Sequence, residues 1–247
     1  MTTAPPPTPT RPNLWRRALA ELIGTGMLVI VIVGSGISAQ RLSTDAGLQL
    51  LENALATAFG LGVLILLLAP VSGGHFNPVV SLTDALHGRR AGTGLTATAL
   101  GIYVLAQTIG AIGGAVLANA MFATPTLISA TDRATPATFL AEIVATAGLV
   151  LLIAGLTRTG RSVPVIAAAV GAYIGAAYWF SSSTSFANPA VTVGRIFTDT
   201  FAGIAPASAI AFVVAQLIGG AVAFGLTTVL FPNIGRPGAA NGSFISQ

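Results

Sequence analysis

Ser185-Phe186-Ala187-Asn188-Pro189-Ala190-Val191-Thr192-Val193-Gly194-Arg195 decides the fold, because its centre returns in the other half of the chain as His75-Phe76-Asn77-Pro78-Val79-Val80-Ser81. Asn is a favoured helix N-cap, and Pro suits the next position, where its missing N–H would be an orphan anyway. Each Asn-Pro step is therefore expected to open a helix. The apolar stretches that follow are short, Val79 to Leu86 and Ala190 to Phe201. At 1.5 Å per residue such helices reach only about half of a roughly 30 Å hydrocarbon core.

Composition says where those half-helices sit. Of 247 residues, 53% are hydrophobic and 7% are charged, and mean hydropathy is +0.84, values that suit a lipid-facing surface. Apolar runs predict six spans: Leu14 to Ile37, Leu48 to Ala69, Thr93 to Phe122, Thr138 to Leu156, Val163 to Phe180 and Gly203 to Phe231. Within the first, Arg16-Arg17 precede the apolar run, as in a signal peptide, but that run lasts to about Ile37 and lacks a cleavage motif. Residues 1–13 (Pro/Thr-rich) and 236–247 (polar) read as tails around one membrane unit from 14 to 235. With no cysteine there is no disulfide or thiolate chemistry, and the seven acidic residues are too scattered for an active site. No cofactor, metal or nucleic acid is expected.

Every basic residue is arginine. Arg11, Arg16, Arg17, Arg89, Arg90, Arg158, Arg161 and Arg236 fall on one side of six spans, against Arg41, Arg133 and Arg195 on the other. That asymmetry predicts cytoplasmic termini in a plasma (inner) membrane.

The chain also repeats. Ala20-Glu21-Leu22-Ile23-Gly24-Thr25 matches Ala141-Glu142-Ile143-Val144-Ala145-Thr146, and Tyr103 to Gly110 matches Phe212 to Gly219, so each half, about 14–123 and 136–231, reads Glu, Asn-Pro, Gln. Three spans per half is an odd number, so the halves insert with opposite topology. The segments holding Asn77 and Asn188 then dip in from opposite faces and meet near the midplane. Non-helical backbone at that depth must be buried in protein or line a water-filled path. Two positive helix ends there repel cations, while the two Asn amides can donate to a solute oxygen, a design that suits neutral hydroxylated molecules. Glu21 and Glu142 lie inside spans and read as acceptors for the re-entrant loops, with Gln107 and Gln216 serving similarly. A proton relay through the two Glu is the competing reading. His75, beside the first Asn, lines the path or simply bonds within its loop. Gly24, Gly60, Gly110, Gly175 and Gly219 suit close helix packing.

These residues resemble the aquaporin (major intrinsic protein) family from about Leu14 to Phe231, carried by Ser72-Gly73-Gly74-His75-Phe76-Asn77-Pro78-Val79, Asn188-Pro189-Ala190 and the paired Glu and Gln. The resemblance implies an all-α membrane protein, an inverted repeat of six transmembrane helices and two re-entrant half-helices, with a pore centre at Asn77, Pro78, Val79, Asn188, Pro189 and Ala190 and assembly as a homotetramer. It also implies filter positions. Water-selective members carry Arg directly after the second Asn-Pro-Ala; here Val191 stands there. The other positions, counted without gaps, fall on Thr57 (or Phe59 if the Phe59-Gly60 pair is aligned instead), Ala176 and Ser185. That set is small and mostly apolar, so the opening is expected to be wide. Val191, Thr57 and the run Gly194 to Gly203 resemble bacterial members associated with arsenic resistance. The resemblance thus implies passage of small neutral solutes: metalloid hydroxides such as arsenite, glycerol-like polyols and water. The alternatives are a general water and glycerol facilitator, a proton-coupled secondary transporter, and a junctional protein with a closed pore. Arg195 reads either as a surface arginine paired with Asp199 or, one turn from Val191, as a positive charge at the outer mouth.

Overall fold

Asn13, Asp45, Thr96 and Thr135 each turn a side-chain oxygen onto a backbone N–H of the following turn, and a long helix runs on from each. In the computed structural model, which describes residues 12–89 and 93–232, these are α1 (Leu14–Leu42), α2 (Ala46–Ser72), α4 (Ala97–Met121) and α5 (Pro136–Arg158). The two Asn-Pro steps open α3 (Pro78–Gly88) and α7 (Pro189–Gly194), while α6 (Val163–Phe180) and α8 (Pro206–Leu230) complete the bundle. All helices but α3 and α7, six in number, are long and apolar enough to cross a membrane. The chain is a multi-pass, all-helical membrane protein with no strand among the described residues.

Small residues set the packing. A Cβ on Gly110 of α4 would lie 2.2 Å from the Leu22 carbonyl oxygen of α1, and one on Gly219 of α8 would lie 2.6 Å from the Ile143 carbonyl oxygen of α5. The two repeats thus use the same glycine to bring the same pair of backbones together. Outward, Phe59, Leu67, Ile210 and Val229 are well exposed, as a lipid-facing surface requires.

Several ends differ from expectation, each for a local reason. The first helix runs past Ile37 to Leu42, because the chain turns extended only at Ser43 before Asp45 caps the next helix. The fourth span starts at Pro136 under a Thr135–Thr138 capping box. The sixth starts at Pro206, because Gly203 is in a turn closed by its N–H on Thr200. The largest difference is the second half-helix, expected to reach Phe201. It stops after six residues at Gly194 and continues as one 3-10 turn, Arg195–Phe197. Asn119 of α4 donates to the Phe197 carbonyl (2.9 Å) and accepts from the Thr198 hydroxyl (2.8 Å), pulling the chain out of helical register. Apart from Pro12 and Asn13, the predicted tails 1–13 and 236–247 lie outside the described residues.

Candidate functional site

The two re-entrant loops meet through their asparagines. Asn77 Oδ1 caps α3 by accepting from Val79 N–H (3.0 Å), and Asn188 Oδ1 caps α7 by accepting from Ala190 and Val191 N–H (3.0 and 3.3 Å). Each amide also donates across the junction, Asn77 Nδ2 to the Ala187 carbonyl (2.8 Å) and Asn188 Nδ2 to the Phe76 carbonyl (2.7 Å). An amide carries two N–H donors, so one on each Asn is left over. The carbonyls face correctly because Phe76 and Ala187 sit at φ +48° and +46°, a left-handed conformation that costs non-glycine residues about 1–2 kcal/mol.

That strain is held by a carboxylate in each half. Glu21 accepts from Ser72 Oγ (2.6 Å), His75 N (3.0 Å), Phe76 N (2.7 Å) and Gln107 Nε2 (2.7 Å). Glu142 accepts from Ser183 Oγ (2.6 Å), Phe186 N (2.9 Å), Ala187 N (2.9 Å) and Gln216 Nε2 (2.6 Å). Among the described residues the glutamines accept from no backbone N–H of the loops, contrary to expectation: each amide instead donates, bridging its Glu to a hydroxyl on the adjoining half-helix, Gln107 to Ser81 and Gln216 to Thr192, both at 2.9 Å. Ser72 and Ser183, to which the sequence reading gave no role, stand five residues before each Asn, and that shared spacing was the signal for them.

A narrow cavity of about 60 Å³ runs past this junction, lined by Thr57, Leu61, Ile174, Tyr178, Ser185 and Arg195 at one end and by His75, Asn77, Val80 and Asn188 further in. A second cavity of about 310 Å³ shares Ile65, His75, Val80 and Ile153 with it and opens among Asp84, His87 and Arg158. Adjoining through these shared residues, the two trace a candidate path from the Arg195 end of the bundle to the Arg158 end. Neither Glu21, Glu142, Gln107 nor Gln216 lines it. His75 lines both cavities while bonded to its own half-helix through Ser81 Oγ (3.1 Å).

Pro78, Val79, Pro189 and Ala190 form the first turns of the half-helices but do not line the path. Val79 packs with Val150 and Ala223, and the side chains that reach the path are Val80 and Val191, each three residues after its Asn. Thr57 lines the path, bonding Tyr178 Oη at 3.1 Å, whereas Phe59 is 71% exposed. Ala176 is a correction: it lies on the exposed side of α6, and the inward stripe is Val170, Ile174 and Tyr178. Counting back from Asn188 reaches Ser185, which lines the path, but fails at Ala176 because the connecting loop is coiled by the left-handed residues Thr184, Ser185 and Ala187, so residue number does not convert to depth. Tyr178, spaced at i+4 from Ile174, is the filter-end residue the count missed.

Of the two readings of Arg195, the surface pairing with Asp199 is the second correction. Arg195 is 2% exposed, lines the path and donates through Nε to the Ala202 carbonyl, with its guanidinium 3.5 Å from the Phe186 ring centroid. Asp199 instead accepts from Ser129 Oγ and Ala130 N–H. The surface pairing fails because Arg195 is in a 3-10 turn that rolls its side chain inward. With Tyr178 and Arg195 present, that end of the path is neither uniformly small nor uniformly apolar, contrary to the wide opening anticipated from Thr57, Ala176, Ser185 and Val191.

Comparison with known proteins agrees with this architecture. A sequence profile described as Major intrinsic protein matches residues 9–187. The chain is 49% identical over 216 residues, 87% of its length and 89% of the relative's, to the aquaglyceroporin AqpS of Rhizobium meliloti (strain 1021). It is 31% identical to the glycerol uptake facilitator protein of Pseudomonas aeruginosa over 66% of this chain and 63% of that one. The crystallographic aquaglyceroporin of Plasmodium falciparum superposes with a TM-score of 0.73 over 89% of this chain and 98% of its own, at 21% identity, a likeness of fold. The chain belongs to the major intrinsic protein family and is a channel, not an enzyme.

Proposed function

We propose that the chain is a passive channel for small neutral hydroxylated solutes: metalloid hydroxides such as arsenite and glycerol-like polyols, together with water. One observation carries this reading. Past the Asn junction the path is lined by apolar side chains and a sparse series of neutral donors and acceptors at Thr57, Tyr178, Ser185, Asn77 and Asn188, with Arg195 the one charged side chain on that stretch, while the buried carboxylates Glu21 and Glu142 stand off it, each accepting four hydrogen bonds. Apolar walls do not hold a solute, and the polar atoms replace part of its hydration as it passes. Among these, Ser185 Oγ is buried without a partner and is free to bond a passing hydroxyl. A carboxylate with four donors has no free lone pair for a shuttled proton, which argues against the secondary-transporter reading.

Arsenite near neutral pH is an uncharged trihydroxide, similar in shape and hydrogen bonding to glycerol, and the relative AqpS is named an aquaglyceroporin. Tyr178 and Arg195 at the filter end favour the second reading, a general water and glycerol facilitator. The functional unit is proposed to span residues 14–235 as one pore per subunit of a homotetramer in the inner membrane. The termini are cytoplasmic, since Arg16, Arg17, Arg89, Arg158 and Arg161 gather at one end against Arg41, Arg133 and Arg195 at the other. Proteoliposome permeabilities to water, glycerol and arsenite test this. Downhill flux of all three, indifferent to a proton gradient, is the expected result. Arsenite flux no faster than in empty vesicles would reduce the function to water and glycerol, and proton-driven uptake would overturn the channel reading.

A further inference from the structure

Two arginines at the outer end of the path have no carboxylate. Arg195 Nε donates to the Ala202 carbonyl; Arg133 Nε and Nη2 donate to the carbonyls of Gly203 and Phe201, both at 2.7 Å. Three consecutive carbonyls therefore hold two guanidinium groups, and both groups face one ring, that of Phe186, at 3.5 Å for Arg195 and 5.6 Å for Arg133. Asp199 is occupied by Ser129 and Ala130, Asp132 by Ser208 and Ala134, and Glu142 by its four donors. Among the described residues nothing accepts from Nη1 or Nη2 of Arg195. A buried cation held only by neutral groups is costly in a membrane protein, and such residues face a pathway.

We propose that Arg195 is the fixed cation barrier of the outer constriction, acting one helical turn beyond Val191 and reaching the path beside Thr57, Tyr178, Ser185 and Val191. It rests on the channel reading above. The 3-10 turn aims the side chain, the Ala202 carbonyl holds Nε and the Phe186 face the guanidinium carbon, and the terminal N–H groups are left for a solute oxygen. A hydronium or sodium ion entering there meets an unscreened positive charge in a low-dielectric wall, whereas a neutral trihydroxide meets donors.

The test is the ratio of sodium and proton permeability to water permeability of the full chain in proteoliposomes, by ion-sensitive dye and osmotic light scattering. Arg195→Gln and Arg195→Met are expected to raise that ratio at least about tenfold, or ~1.4 kcal/mol of barrier, while Arg195→Lys keeps it low. Val191→Glu sets a carboxylate one turn away on the same face, neutralises Arg195 without removing it, and is expected to raise the ratio as well. An assembled Arg195→Gln or Val191→Glu channel with the original ratio overturns the proposal. So does failure of every one of these variants to assemble, which would make Arg195 a structural strut. Absence of water flux in the unmutated protein instead refutes the channel reading itself.

Discussion

Glu142→Gln removes a charge while keeping shape, and the geometry around it sets the cost. Oε1 accepts from Ser183 Oγ and Phe186 N, and Oε2 from Ala187 N and Gln216 Nε2. A glutamine must turn its NH2 toward one of these pairs. Toward the first, the Ser183 hydroxyl can rotate to accept, but Phe186 N–H is orphaned. Toward the second, Gln216 can flip its amide, but Ala187 N–H is orphaned. One buried backbone donor is lost in either case, at about 1–3 kcal/mol, and the remaining bonds lose their charge assistance. Relief of the buried carboxylate's desolvation offsets part of this. A net loss of about 2–4 kcal/mol is expected, concentrated on the loop that holds Ala187 at positive φ and hence on the partner carbonyl of Asn77. The assay is the thermal midpoint of the detergent-solubilised protein together with water permeability per folded protein. Lowered midpoint and lowered flux, with no change in proton dependence, are the expected result. An unshifted midpoint would refute the strut role, and a stable variant that had lost only a proton-dependent component would revive Glu142 as a relay.

Asn77→Ala and Asn188→Ala each lose a cap and a cross-loop hydrogen bond, about 2 kcal/mol together; assembly and water flux are expected to fall in both, and normal values in both would remove the asparagines from the site. Val191→Arg adds a guanidinium at the constriction and is expected to slow glycerol and arsenite far more than water; an unchanged ratio per assembled protein would refute the placement of Val191 there. Gly110→Ala forces a Cβ to 2.2 Å from the Leu22 carbonyl oxygen and is expected to destabilise by at least about 1–3 kcal/mol. Its control, Gly113→Ala on the same helix, meets nothing within 4 Å and is expected to be neutral or slightly stabilising. Equal midpoints for the two would contradict the close α1–α4 approach.

Much of this protein is local and therefore legible in one dimension. Apolar length marks a membrane span whatever surrounds it, Asn-Pro caps its own helix, and duplication of Glu, Asn-Pro and Gln in two three-span halves dictates inverted insertion. The roles of Glu21 and Glu142 followed too, because a buried charge needs donors and the nearest unpaired N–H groups were those of the re-entrant loops. The filter end was another matter. Whether Ala176 or Tyr178 faces the path depends on the rotation of α6 about its axis, which packing on α2 and α5 decides and a coiled loop conceals. Whether Arg195 points to solvent or into the path depends on where α7 tightens into a 3-10 turn, and Asn119, far away on α4, pulls it there. Spacing predicts contacts within an element, where geometry repeats; it does not predict the facing of one element toward another, which long-range packing alone sets.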